Sequence, residues 1–121
     1  MILADTSVWV QHFRSGEPEL ARLLDRGQIL GHPFVTGELA LGRIPERASI
    51  LHGLERLPGS VVARHQEVLK LIDREGLAGS GLGYVDACLL ASVRLTPEAL
   101  LWTRDRRLNG VALKLGVAFP A

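Results

Sequence analysis

The chain is poor in the groups on which several common chemistries depend. It has one cysteine, Cys88, among 121 residues, so it can form no internal disulfide and has no thiolate set for a zinc site. Cys88 stands in an apolar stretch and is expected to be a small buried hydrophobe. Lysine is nearly absent too: of 14 cationic residues, only Lys70 and Lys114 are lysines. No apolar run approaches the length that spans a bilayer. Nor does the chain open on a basic segment followed by an apolar core and a cleavage site, so the expected compartment is the cytoplasm. The histidines His12, His32, His52 and His65 are scattered, with no HExxH pair and no expected place at a strand end. They are expected to be surface or internally satisfied groups. There is no GxSxG elbow, no GxxxxGK[ST] and no strand-associated GxGxxG, which argues against serine hydrolases, zincins and nucleotide-binding loops.

The remaining composition is that of a globular protein, with 47% hydrophobic and 22% charged residues. Its length favours a single domain, residues 1–121, around one core. The formal net charge of +1 does not advertise a nucleic-acid binder. The preponderance of arginine nevertheless suits bidentate phosphate contact, and Arg104, Arg106 and Arg107 cluster beside Asp105.

No repeat, low-complexity tract or long linker interrupts the chain. Apolar runs predict short strands at Ile2–Asp5, Gln28–Gly31, Ser60–Ala63, Leu100–Thr103 and Val117–Phe119. Periodicity and end signals predict helices at Val8–Phe13, Pro18–Arg26, Pro33–Gly42, Pro45–Leu57, His65–Glu75, Tyr84–Arg94 and Arg106–Leu115. Gly76, Gly79, Gly81 and Gly83 predict a flexible, hinge-like loop before Tyr84. Short apolar strands alternating with helices predict an α/β fold with a central, mostly parallel sheet.

Four carboxylates sit where folding alone would not put them. Asp5 closes Ile2-Leu3-Ala4, Glu38 lies inside an apolar helix, Asp86 opens the apolar segment Val85–Ala91, and Asp105 follows Leu100–Thr103. Charges beside so much apolar surface are costly unless compensated. Asp5 and Asp105 follow strands at the end of a parallel sheet where ligands bind; both also suit helix N-caps. Glu38 is expected on the core side of its helix, with Thr36 and Arg43 towards solvent. Brought together, four such groups repel, and some would stay protonated. A divalent cation such as Mg²⁺ is their simplest compensation, because it prefers hard oxygen ligands and leaves positions for water and phosphate. The residue types therefore fit metal-assisted phosphodiester hydrolysis.

Asp5-Thr6-Ser7 after an N-terminal strand, Glu38, Asp86 followed by Leu89 and Ala91, and Thr103-Arg104-Asp105 resemble the PIN-domain family. The small size and immediate N-terminal strand are most similar to VapC-type toxins of toxin–antitoxin pairs. The resemblance implies a three-layer α/β/α fold and an endoribonuclease dependent on Mg²⁺ or Mn²⁺. It also implies an acidic site of Asp5, Glu38, Asp86 and Asp105, with Asp5, Asp86 and Asp105 as metal ligands and Thr6 or Ser7 and Thr103 as hydroxyl supports. A homodimer and an inhibiting antitoxin are implied as well. The chain departs from some relatives at Arg107, where they carry a further acid that would help to hold a second metal.

Arg104, Arg106 and Arg107 are candidate contacts to RNA phosphates. Trp9, Val10, Phe13, Leu20, Leu23 and Leu24 are expected to be core, the alternative being a groove for an antitoxin helix. A different class of function is a catalytically silent nucleic-acid-binding module within a larger complex. A phosphotransfer receiver would need a lysine at a late strand end, and Lys70 and Lys114 both fall in expected helices.

Overall fold

The run Ile2-Leu3-Ala4 forms β1 (Ile2–Ala4), and all three of its residues are buried. Because successive strand residues point to opposite faces, burial of the whole run means that both faces of the sheet are covered. The structure, a computed structural model, describes residues 1–121. In chain order β1 is followed by α1 (Thr6–Ser15), α2 (Pro18–Asp25), β2 (Ile29–Leu30), α3 (Pro33–Leu41) and α4 (Arg47–Glu55). Then come α5 (His65–Arg74), α6 (Tyr84–Leu95), β3 (Leu100–Trp102) and α7 (Arg106–Lys114).

The sheet has the order β2-β1-β3, and both pairings are parallel. Ile2 stands opposite Ile29 on one side and Leu100 on the other. Single parallel bridges, Gly31 with Gly59 and Leu101 with Ala118, extend the sheet at its two edges. The expected α/β class with a parallel sheet is therefore what forms. The core gathers strand residues such as Leu3 and Leu101 with Val8, Leu20, Leu39, Val68, Leu89 and Leu108 from the helices. Cys88 is buried, as expected.

Two expected strands shrink to single bridges. At Ser60–Ala63 the backbone finds other partners: Val61 N–H donates to Thr96 Oγ1 (2.9 Å) and Ala63 N–H to Ser92 Oγ (3.0 Å), both on or next to α6. Val61 and Val62 are left exposed, and the one bridge falls earlier, at Gly59. At the C-terminus only Ala118 bridges β3. The first helix begins earlier than expected, at Thr6, because Asp5 itself caps it. No helix is long and apolar enough to cross a membrane.

Candidate active site

β1 and β3 run side by side and deliver their following residues to the same end of the sheet. The pairing continues one step past β1, where Asp5 N–H donates to Trp102 O at 2.9 Å. Asp5 is buried, and its Oδ1 accepts from Val8 N–H (3.3 Å) as the N-cap of α1. The same oxygen accepts from Ser7 Oγ at 2.5 Å. Ser7 Oγ in turn accepts from Arg104 N–H at 3.0 Å. One hydroxyl thus ties Asp5 to the turn that carries Asp105.

Within that turn Thr103 Oγ1 accepts from Asp105 N–H at 3.0 Å. Asp105 Oδ1 accepts from Leu108 N–H at 2.9 Å, capping α7. Both strand-end aspartates are N-caps, with the positive ends of helix dipoles beside them. Thr6 Oγ1 donates to Glu38 Oε1 at 2.7 Å, which swings Glu38 from α3 towards the start of α1 and leaves its other oxygen free. Asp86, in the first turn of α6, accepts through Oδ2 from Gly83 N–H at 3.3 Å.

The electrostatics connect the four. Burial raises the pKa of Asp86; the charges of Asp105, Asp5 and Glu38 raise it further, while the Gly83 N–H lowers it. Burial likewise raises that of Asp5, against opposing hydrogen bonds from Ser7, Thr103 and the Val8 and Ser7 backbone. No cation neutralises any of them: the two ion pairs of the chain are Arg22–Glu19 and Arg64–Glu67, and neither involves these residues. The sequence thus carries into one region four carboxylates that repel and have no arginine partner.

A family model described as PIN domain matches residues 2–114 of this chain. The chain belongs to the PIN-domain family. Ribonuclease VapC32 of Mycobacterium tuberculosis, in strains CDC 1551 / Oshkosh and ATCC 25618 / H37Rv, is 48% identical over 118 residues, covering 98% of this chain and 95% of that protein. A weaker match, 26% identical over 120 residues, covers 97% of this chain but 22% of the cytochrome P450 monooxygenase ntnM of Nectria sp. It carries no argument about function.

Several residues of this PIN domain lie elsewhere than the sequence predicts. Glu38 is exposed instead of facing the core, and Leu41, one turn on, is 92% exposed. The buried stripe of α3 is Val35 and Leu39, with the half-buried Thr36 beside it. An expected core charge is instead a cleft charge, its direction set by Thr6. His32 does follow a strand end, after β2, but turns into the core. Its Nε2 lies 3.0 Å from Ser92 Oγ, and its Nδ1 accepts from Phe34 N–H at 3.1 Å.

Trp9, Leu20 and Leu23 are core, whereas Val10, Phe13 and Leu24 are half-buried. Val10 and Phe13 line a groove with Glu38, Ile44, Arg14 and Arg43 that opens beside Thr6. The glycine loop is not a free hinge: Arg107 Nη1 donates to Gly81 O at 3.2 Å. Gly81 has φ +85°, and a side chain there would collide with that guanidinium. This strut is a role for Arg107 beyond the phosphate contact expected of it. The positive φ could not be read ahead, but the absence of any side chain at Gly81 was a signal.

The donor set of the cleft fits a hard divalent cation. It offers carboxylate and hydroxyl oxygens, with no imidazole or thiolate among the four acids and three hydroxyls, and its negative charge lacks a protein counterion. No three acidic, histidine or cysteine side chains stand close enough in this structure to grip one ion together.

Proposed function

We propose that this chain is a metal-dependent endoribonuclease and the toxin of a toxin–antitoxin pair. The observation that carries this reading is the set of four unpaired carboxylates at one end of the sheet, three of which raise the pKa of the fourth. The similarity to Ribonuclease VapC32 along nearly the whole of both chains supports RNA as substrate. Asp5, Asp86 and Asp105 would hold Mg²⁺ or Mn²⁺, directly or through water. Such an ion, when bound, supplies polarisation of the phosphoryl oxygen and a more acidic water.

The chain's own residues do the rest. Glu38 is anchored at one oxygen by Thr6, so its other oxygen can orient the attacking water and accept its proton. Ser7 and Thr103 keep Asp5 and Asp105 in fixed relation. Arg104, Arg106 and Arg107 are exposed and flank Asp105 in the chain, and Arg104 and Arg106, whose side chains are not tied to the glycine loop as Arg107 is, are the freer pair for phosphate contact. In-line attack by water breaks the P–O3′ bond and leaves a 5′-phosphate and a 3′-hydroxyl.

Purified protein incubated with RNA and Mg²⁺ or Mn²⁺, then with EDTA, tests this. Cleavage should need the metal, leave those ends, and survive a 2′-deoxy substitution at the cut. Loss of all cleavage on that substitution contradicts attack by water. An antitoxin segment would fit the groove of Val10, Phe13 and Ile44, where Arg14 and Arg43 offer cationic rims. A homodimer is part of the same proposal.

One observation favours a second reading, a silent RNA-binding module: no three ligands are already within reach of one ion. RNA binding with no metal-stimulated cleavage would select it.

A further inference from the structure

Away from the acidic cleft, α5 and α6 enclose a groove of about 310 Å³ lined by Arg64, Lys70, Arg74 and Arg94, with Glu67 as its one carboxylate. Glu67 is already committed, since it pairs with Arg64 and also accepts that residue's backbone N–H at 2.8 Å. Lys70, Arg74 and Arg94 form no ion pair. In a chain whose formal net charge is only +1, three cations without a contact ion pair along one groove, of which Lys70 alone feels the charge of Glu67, amount to a separation of charge. That field would attract a polyanion.

The floor of the groove argues for a nucleic-acid backbone over a protein helix. A docked amphipathic helix needs exposed apolar anchors at successive turns. Here Leu71 and Ala91 are buried already, and Leu95, 42% exposed, is the one apolar lining residue on offer. What the groove presents is cationic rim, which suits phosphate contacts and reads no sequence. Arg94 lies on the same helix as Asp86, eight residues on, hence about 12 Å farther along its axis. A strand cut at the cleft would have to extend past it to be held there.

We propose that the α5–α6 groove binds the sugar–phosphate backbone of single-stranded RNA at a distance from the cleavage point, through Lys70, Arg74 and Arg94. Only the identity of the polyanion rests on the ribonuclease reading.

The test compares a long and a short single-stranded RNA oligonucleotide, the short one confined to the cleft. Binding is followed by fluorescence anisotropy over a range of KCl, in an Asp5→Asn background that does not cut. The triple variant Lys70→Ala, Arg74→Ala, Arg94→Ala should weaken binding of the long RNA roughly tenfold or more at low salt. It should flatten the slope of log K against log salt by about 2, at roughly 0.7 for each phosphate no longer neutralised. Short-oligonucleotide binding, and its cleavage by the variant with Asp5 restored, should stay unchanged, and an unaltered melting temperature shows the fold is kept.

Equal affinity and slope for the long RNA would overturn the groove. So would equal losses for both lengths, or loss of a co-purified acidic protein partner with RNA binding intact. A wild type that binds long RNA in this way but cuts none would overturn the nuclease reading alone.

Discussion

Asp5 shows how one residue serves folding and chemistry with opposite consequences for stability. Its carboxylate caps α1 through Val8 N–H, which stabilises, yet it is a buried charge without a cation, which does not. The raised pKa fixes the sign: the folded state holds the proton more tightly than the unfolded chain. The cost of the charge therefore appears as pH rises above about 3.8, the value for the free group, and is fully present once the folded pKa is passed. Asp5→Asn keeps a capping oxygen and removes the charge. It should abolish cleavage while stabilising the metal-free protein by about 0.5–2 kcal/mol, as active-site replacements of this kind often do. Asp5→Ala also loses the cap and should be less stable than Asp5→Asn by about 1 kcal/mol. Urea denaturation of the three proteins without metal checks both, and an Asn variant weaker than wild type would contradict a net cost of burying that charge. His32 works in the other direction. Burial lowers its pKa, and a second ring proton would face Phe34 N–H. Stability should thus fall as pH drops below about 6.5 towards the folded value, and His32→Gln should flatten that part of the pH profile. An identical profile for both proteins would exclude His32 as its source.

Between elements, the decisive contacts are side chain to backbone, and these are what the sequence conceals. The strands β1 and β3 were legible because Ile2-Leu3-Ala4 and Leu100-Leu101-Trp102 are uninterrupted apolar runs ahead of an acid. Ser60–Ala63 has an apolar run too, but the N–H groups of Val61 and Ala63 are claimed by Thr96 and Ser92, some thirty residues later, and no local pattern encodes that. Asp5, Asp86 and Asp105 were visible as polar interruptions of such runs. The direction of Glu38 was not, because it depends on Thr6 from another helix. The same holds for the strut from Arg107 on α7 to the Gly81 carbonyl. It bridges the helix capped by Asp105 and the loop whose Gly83 N–H holds Asp86. Arg107→Met should release the loop, so that amides of residues 79–83 exchange faster while those of β1 and β3 do not. Gly81→Ala should cost about 1–3 kcal/mol through its positive φ alone. Unchanged exchange in Arg107→Met would mean that the loop holds itself.

For the molecule as a whole, the cleft is a repulsion centred on Asp86 that a bound cation would relieve. Apart from Glu19 and Glu67, no carboxylate of the chain forms an ion pair, and the charges of Asp105, Asp5 and Glu38 act on Asp86 instead. The fold tolerates this because the parallel sheet and its buried helices hold the acids in place from behind, through Leu3, Leu89 and Leu101. An ion that binds the folded cleft and not the unfolded chain must therefore add stability by mass action. At a concentration of one hundred times its dissociation constant the gain is about 2.7 kcal/mol, which for a domain of this size corresponds to a rise in melting temperature of roughly 10 °C. Mg²⁺ and Mn²⁺ should both produce it and EDTA should reverse it. Asp5→Asn, already relieved of one charge, should start from a higher melting temperature and gain less. The opposite trends of those two quantities separate relief of repulsion from general salt screening, which would move both proteins alike. A wild type whose melting temperature ignores both ions would leave the four carboxylates without their expected counterion.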